Sequence, residues 1–294
     1  MMEKIRMNTG QSIVVISGKG GTGKTTITAS LAQLMSNDVI KADCDVDASN
    51  LGIILNGVVE SKKDYYGAKV ARINGIKCLN CGQCKEVCRY NAIQFKDDKY
   101  QVKPLKCEGC NACVVKCPNN AIQLVEVKTG EIQVKETGSG KLVTSVMIPG
   151  AEGSGKLVTE VRKTGKIYGN DVLIDGSPGV GCAVMASVTG TNHAIIVTEP
   201  TQSAYEDLVR VHEIVKHFNS KALVIINKYD INKEMTMKIE KTAKALGIEL
   251  LGRIPFDPVV NQAVNELKPI VDYRESKASN ALVNIYQKLK EEIL

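Results

Sequence analysis

Tryptophan is absent from this chain of 294 residues, and phenylalanine and histidine occur three times each. So few aromatics leave little for stacking bases, and the formal charge of +6 is not gathered into a basic block. Nucleic acid is therefore not the expected partner. No run of about 18 apolar residues is present, which speaks against a membrane-spanning helix. The opening MMEKIRMNTG lacks the apolar stretch of a secretory signal, so a cytoplasmic location is expected. His193, His212 and His217 share no ligand spacing and read as structural.

What the chain has in abundance is glycine, lysine and cysteine in ordered places. Ser12 to Ser17 is a β-branched apolar run of the kind that forms a buried parallel strand. Gly18-Lys19-Gly20-Gly21-Thr22-Gly23-Lys24-Thr25-Thr26 comes next, and then Ile27, Leu31 and Leu34 fall at helical spacing. Strand, glycine loop and helix make a phosphate-binding loop: backbone N–H groups converge on phosphate oxygens at a helix N-terminus. Lys24 is placed to reach the β- and γ-phosphates and Thr25 to hold Mg²⁺. A second strand, Val39 to Ala42, runs into Asp43, Asp45 and Asp47, a carboxylate group suited to Mg²⁺ and water. A third apolar strand ends at Asp175 and continues Gly176-Ser-Pro-Gly179-Val-Gly181-Cys182.

The loop's second lysine, Lys19, resembles the deviant Walker A motif of the MinD/ParA/nitrogenase-iron-protein ATPases. The resemblance implies an α/β P-loop fold with a mostly parallel sheet flanked by helices. It also implies an ATP-driven homodimer in which Lys19 reaches the partner subunit's phosphates. By the same resemblance Asp43 lies near Mg²⁺ and Asp45 orients the attacking water. Asp175 binds Mg²⁺ through water, and the Gly179 amide senses the γ-phosphate. Asn227-Lys228-Tyr229-Asp230 reads alone as a guanine motif. In deviant Walker A proteins an asparagine here meets adenine, so Asn227 is assigned to ATP. Cys182 stands at the offset of the nitrogenase iron protein's cluster cysteine. It is either a small buried residue or a ligand to a metal shared across a dimer; Cys44 reads as buried.

Between the two halves of that fold lie eight further cysteines. Cys78-x-x-Cys81-x-x-Cys84-x-x-x-Cys88 and Cys107-x-x-Cys110-x-x-Cys113-x-x-x-Cys117-Pro118 have the spacing of bacterial two-cluster ferredoxins. In that pattern the fourth cysteine of each run serves the other cluster. Cys78, Cys81, Cys84 and Cys117 are expected to hold one [4Fe–4S], and Cys107, Cys110, Cys113 and Cys88 the second. Asn91-Ala-Ile-Gln and Asn120-Ala-Ile-Gln mark an internal duplication, and Arg89 replaces the usual proline. The 2-2-3 spacing is not that of a zinc finger.

The expected organisation is a P-loop ATPase domain from 1–57 and 167–294, interrupted by an insertion over 58–166. The insertion has a ferredoxin-type α+β core at about 74–125. In it Gly138-Ser-Gly-Lys141-Leu-Val-Thr144 recurs as Gly153-Ser-Gly-Lys156-Leu-Val-Thr159. Both copies read as glycine turns entering strands, over a segment of 126–166. Leu282, Ile285, Leu289 and Ile293 form the apolar stripe of a C-terminal helix that suits core packing better than a membrane, because acids offset its lysines. The functional expectation is nucleotide-coupled electron transfer or reductive metallocofactor assembly with a protein partner. The alternatives are a positioning or scaffold ATPase with structural or redox-sensing clusters, and an iron–sulfur cluster carrier.

Overall fold

The computed structural model describes residues 10–46, 48–151 and 153–293; the start of the chain and Asp47 lie outside the described residues. Strand β1 (Ser12–Ser17) leads through the glycine loop to helix α1 (Lys24–Leu34). Then come β2 (Ile40–Asp43), the short α2 (Leu51–Ile54) and β3 (Val58–Tyr65). From here the chain enters a second compact unit, which comprises Lys63–Glu131 and Met147–Gly153.

That unit has a two-fold internal pattern matching the sequence duplication. β4 (Ala68–Ile73) is followed by the five-residue helix α3 (Gln83–Val87) and the hairpin β5 (Ile93–Lys96) and β6 (Lys99–Val102). A second five-residue helix, α4 (Ala112–Lys116), precedes β7 (Ile122–Val127), which pairs antiparallel with β4. Asn91 and Asn120 both take left-handed conformations, with φ of 50° and 48°. Its small core includes Ala71, Ile93 and Ile122 together with Cys84 and Cys113.

β8 (Gly130–Thr137) and β9 (Gly140–Met147) then bring the chain back, and α5 (Ser154–Tyr168) comes after them. The remaining order is β10 (Val172–Pro178), α6 (Cys182–Val188), β11 (His193–Thr198), α7 (Gln202–His217), β12 (Lys221–Asn227) and α8 (Lys233–Ala245). β13 (Glu249–Ile254), α9 (Val259–Asn265) and α10 (Lys277–Ile293) complete it. The large sheet runs β13-β12-β11-β1-β10-β2-β9-β8-β3, and its pairs from β13 to β9 are parallel. β1 and β10 sit at its centre, buried over Ser12–Ser17 and from Val172 to Ser177. Leu282, Ile285 and Leu289 of α10 are buried in the same core as Leu251 and Ile254, so the C-terminal stripe packs on the sheet. Among the described residues no helix is long and apolar enough to cross a membrane.

The segment 126–166 departs from the expectation of two turns entering strands. Only the first GSGKLVT is a turn into a strand: Gly138 and Ser139 join β8 to β9, with Leu142, Val143 and Thr144 buried. The second copy is the first half of helix α5, with Leu157, Val158, Val161 and Gly165 on its buried face. Flanking sequence decides the outcome. The first copy continues Ser145-Val-Met-Ile-Pro149, β-branched and closed by proline; the second continues Glu160-Val-Arg-Lys, which carries helical periodicity. β8, β9 and α5 thereby belong largely to the nucleotide-fold unit, and the second unit is shorter than 58–166.

Candidate functional site

The glycine loop lies between the end of β1 and the start of α1. Gly23 has φ 90°, and a side chain there would meet Asn227 Nδ2 at 2.5 Å, so position 23 is restricted to glycine twice over. Asn227 at the end of β12 donates from Nδ2 to the Thr22 carbonyl at 2.8 Å, fixing the loop to the neighbouring strand end.

The ends of parallel strands bring acids to this loop. Lys24 Nζ lies 2.8 Å from Asp175 Oδ1 and 3.3 Å from Asp45 Oδ2. Thr28, one turn into α1, donates to the same Asp175 oxygen at 2.9 Å. Asp43 accepts from the amides of Asp45 and Leu51, at 3.2 and 3.1 Å. Burial pushes the Asp43 carboxyl well above the usual carboxylate range, and Asp175 beside it pushes the same way. Burial acts against charge on Lys24, yet Asp175 and Asp45 outweigh it and its pKa stands above the ordinary lysine value.

Asp175 Oδ2 and Thr22 Oγ1 are buried without a hydrogen-bond partner. Three carboxylates facing one lysine and an orphaned carboxylate oxygen form a hard oxygen site with surplus negative charge, the donor chemistry Mg²⁺ prefers. Thr25 borders it, its Oγ1 accepting from Lys24 Nζ at 3.3 Å. The Gly179 amide donates to the Ser17 carbonyl at 2.8 Å.

Lys19 does not join this cluster. Its Nζ is 2.7 Å from Glu199 Oε1 and donates to Thr201 and Ser203 hydroxyls at 3.2 and 3.1 Å. Glu199 was missed in the sequence, although it lies just past the end of β11 much as Asp43 and Asp175 lie at or near the ends of theirs. Asp230 accepts from the Phe256 amide at 2.7 Å, so its carboxylate is engaged by the chain itself. Cys44 is buried, and burial pushes its thiol far up. Cys182 is exposed at the start of α6, which corrects its reading as a small buried residue.

In the second unit two cavities are lined by cysteine. Cys78, Cys81, Cys84 and Cys117 border one, and Cys88, Cys107, Cys110 and Cys113 the other. The fourth cysteine of each run thus crosses to the other run's cavity. The amides of Ala71, Ala92 and Ala121 donate to the sulfurs of Cys107, Cys88 and Cys117 at 3.3, 3.4 and 3.3 Å. Among the described residues no group of His, Cys, Asp or Glu closes on a point where one ion would sit. Four cysteines at each cavity match in type and number the ligands of a [4Fe–4S] cubane.

A strand–glycine loop–helix unit at the centre of a parallel sheet, with acids at adjacent strand ends, defines a P-loop nucleotide-binding protein. Residues 13–270 match the CobQ/CobB/MinD/ParA nucleotide-binding domain, and the chain belongs to that family. An uncharacterized protein of Methanocaldococcus jannaschii is 34% identical, covering 95% of this chain and 96% of its own. The iron–sulfur cluster carrier protein of the same organism is 27% identical over 99% of this chain and 88% of its own. Among solved structures, the septum site-determining protein MinD of Pyrococcus horikoshii with Mg-ADP superposes with a TM-score of 0.59. It covers 95% of both chains at 23% identity, a likeness of fold.

Proposed function

We propose that this protein is a Mg²⁺-dependent ATPase that acts as a homodimer and couples nucleotide state to two [4Fe–4S] clusters. The clusters would serve electron transfer to a protein partner or reductive assembly of its metallocofactor. One observation carries the reading: eight cysteines sort into two four-cysteine cavities, in a unit spliced into the chain between the acid-bearing strand ends β2 and β10.

In the ATPase step the amides from Gly18 through Thr26 bind phosphate oxygens, and Lys24 exchanges Asp175 for the β- and γ-phosphates. Thr25, Asp43 and Asp175 would hold Mg²⁺, which supplies neutralising charge at the phosphates. Asp45 orients water for attack on the γ-phosphorus. Lys19 leaves Glu199 to meet the phosphates of the partner subunit, and the Gly179 amide exchanges Ser17 for the γ-phosphate. Asn227 flanks the base. The engagement of Asp230 by Phe256 favours adenine over guanine.

Coupling runs through α5. Gly155 packs so closely on the carbonyl of Cys182 that a side chain would stand 3.2 Å from its oxygen. Cys182 lies three residues beyond Gly179, and Gly153, where the second unit ends, lies two residues before Gly155. A shift of the 179–182 loop on nucleotide binding therefore acts on the helix that continues the chain from the cysteine unit. The clusters, when bound, would supply one-electron storage; the cysteines' task is to hold them.

Iron and acid-labile sulfide in anaerobically purified protein test this directly, with about eight of each expected per chain. ATP turnover should be lost in both Lys19→Ala and Lys24→Ala. Protein without iron, or turnover indifferent to Lys19, would overturn the reading. A cluster-carrier role is the second reading, favoured by the exposure of Cys81 and Cys110. It predicts that a chelator strips the clusters faster in one nucleotide state.

A further inference from the structure

The internal duplication lets the two cysteine cavities be compared position by position. Cys78 matches Cys107, Cys81 matches Cys110, Cys84 matches Cys113 and Cys88 matches Cys117. The matched cysteines are equally covered. Cys84 and Cys113 are each 8% exposed, Cys81 and Cys110 are both exposed, and the other four are half-buried. Ligand burial therefore does not distinguish the cavities, but their walls do. Leu79 borders the first cavity, and Glu108, at the matching place just after the first cysteine of its run, borders the second. The exchanges of Gln83 for Ala112 and of Asn119 for Tyr90 change no charge. Pro118 borders the first cavity, whereas Arg89 at its matching place does not border the second. Apart from the cysteines, Glu108 thus brings the one formal charge on either wall among the described residues.

We propose that Glu108 sets the order in which the two clusters take up an electron. It holds the cluster of Cys107, Cys110, Cys113 and Cys88 below that of Cys78, Cys81, Cys84 and Cys117 in potential. The inference rests on the function proposed above in taking the cavities to hold clusters, and it adds the direction of electron flow within the unit. Reduction adds one negative charge to a cluster and makes or breaks no bond. A carboxylate on the cavity wall disfavours that added charge, and a leucine does not. An electron placed on the second cluster therefore passes to the first, which is reduced as the second is oxidised. Glu108 is exposed, so water screens its charge. The effect is limited to about threefold in the reduction equilibrium, roughly 28 mV at 59 mV per tenfold. Two identical walls would leave the electron shared equally; one carboxylate on one side gives it a preferred seat.

The test follows the hyperfine-shifted proton NMR signals of the cysteine β-protons while anaerobically purified full-length protein is reduced stepwise with dithionite. Two sets of signals should respond unequally in the parent, one cluster carrying the electron about three times as often as the other in singly reduced protein. Glu108→Gln keeps the shape and a hydrogen-bonding oxygen but removes the charge, and it should bring the later set forward until the gap closes. Leu79→Glu should delay the earlier set. Glu108→Leu/Leu79→Glu should restore a gap of similar size with the two sets exchanged. Iron and sulfide content in each variant shows that the unit is assembled. Parent protein without iron would overturn the cluster reading and this proposal with it. With both clusters present, sets that reduce together in the parent would overturn this proposal alone. So would a later set that Glu108→Gln leaves unmoved, or a Glu108→Gln shift confined to the earlier set.

Discussion

Lys19 is held within its own subunit, and the proposed dimer requires it to leave. Its ion pair with Glu199 spans 2.7 Å, with the two side chains 32% and 15% exposed. A pair of that exposure is worth about 0.2–1 kcal/mol. A symmetric dimer breaks two of them, so removing both would favour closure by about 0.4–2 kcal/mol, a factor of roughly 2–30 in the dimer constant. Glu199→Gln keeps the size and the hydrogen-bonding oxygen while removing the charge. Sedimentation equilibrium with a non-hydrolysable MgATP analogue should show tighter dimers for this variant, and no change in the nucleotide-free protein. Lys19→Gln should weaken the dimer. If Glu199→Gln leaves the dimer constant unchanged or weakens it, Lys19 does not trade Glu199 for a partner's phosphate.

Three further outcomes are expected from the geometry. Lys41 is fully buried and donates to the carbonyls of Ser36 and Val39, at 3.2 and 2.8 Å, and to that of Ser139. Lys41→Met should cost about 2–3 kcal/mol in urea unfolding, because the Val39 and Ser139 carbonyls each lose a buried donor. Asp257 joins the loop after β13 to the start of α10. Burial raises its pKa, but the Ser276 hydroxyl at 2.7 Å and the amides of Val259 and Ala278 outweigh it, so the value lies below the ordinary one. Its carboxylate thus stabilises the fold above the unfolded pKa, and that contribution disappears as pH falls through the lower folded value. Asp257→Asn should cost about 1–2 kcal/mol at pH 7, with the gap to the parent closing below about pH 4 in thermal melts. Cys117→Ser should damage the cluster of the first run while sparing that of the second, and Cys88→Ser the reverse, by EPR.

The parts read best from sequence are those where local pattern and chemistry coincide. The β1 run, the glycine loop and the α1 periodicity needed no tertiary information, and the two cysteine runs stand out by spacing alone. What escaped depended on neighbours distant in sequence. Glu199 becomes visible only when β11 is laid beside β1, and Thr28 only when α1 faces Asp175. The twin GSGKLVT segments are the sharpest case, since seven identical residues form a hairpin arm at one site and a helix at the other. There the weak preference of Lys-Leu-Val-Thr yields to the residues on its C-terminal side and to the surface it packs on.

The central claim is that nucleotide state reaches the cysteine unit. It is tested most directly by EPR-monitored redox titration of the anaerobic protein, with no nucleotide, with MgADP and with a non-hydrolysable MgATP analogue. The same series on Gly155→Val, which crowds the Cys182 carbonyl, serves as the uncoupled control. The proposed coupling predicts a nucleotide-dependent shift of about 30–100 mV in the parent, where 59 mV is tenfold for one electron, and a smaller shift in the variant. Potentials identical in all three states, in a protein that still dimerises with the analogue, would contradict it.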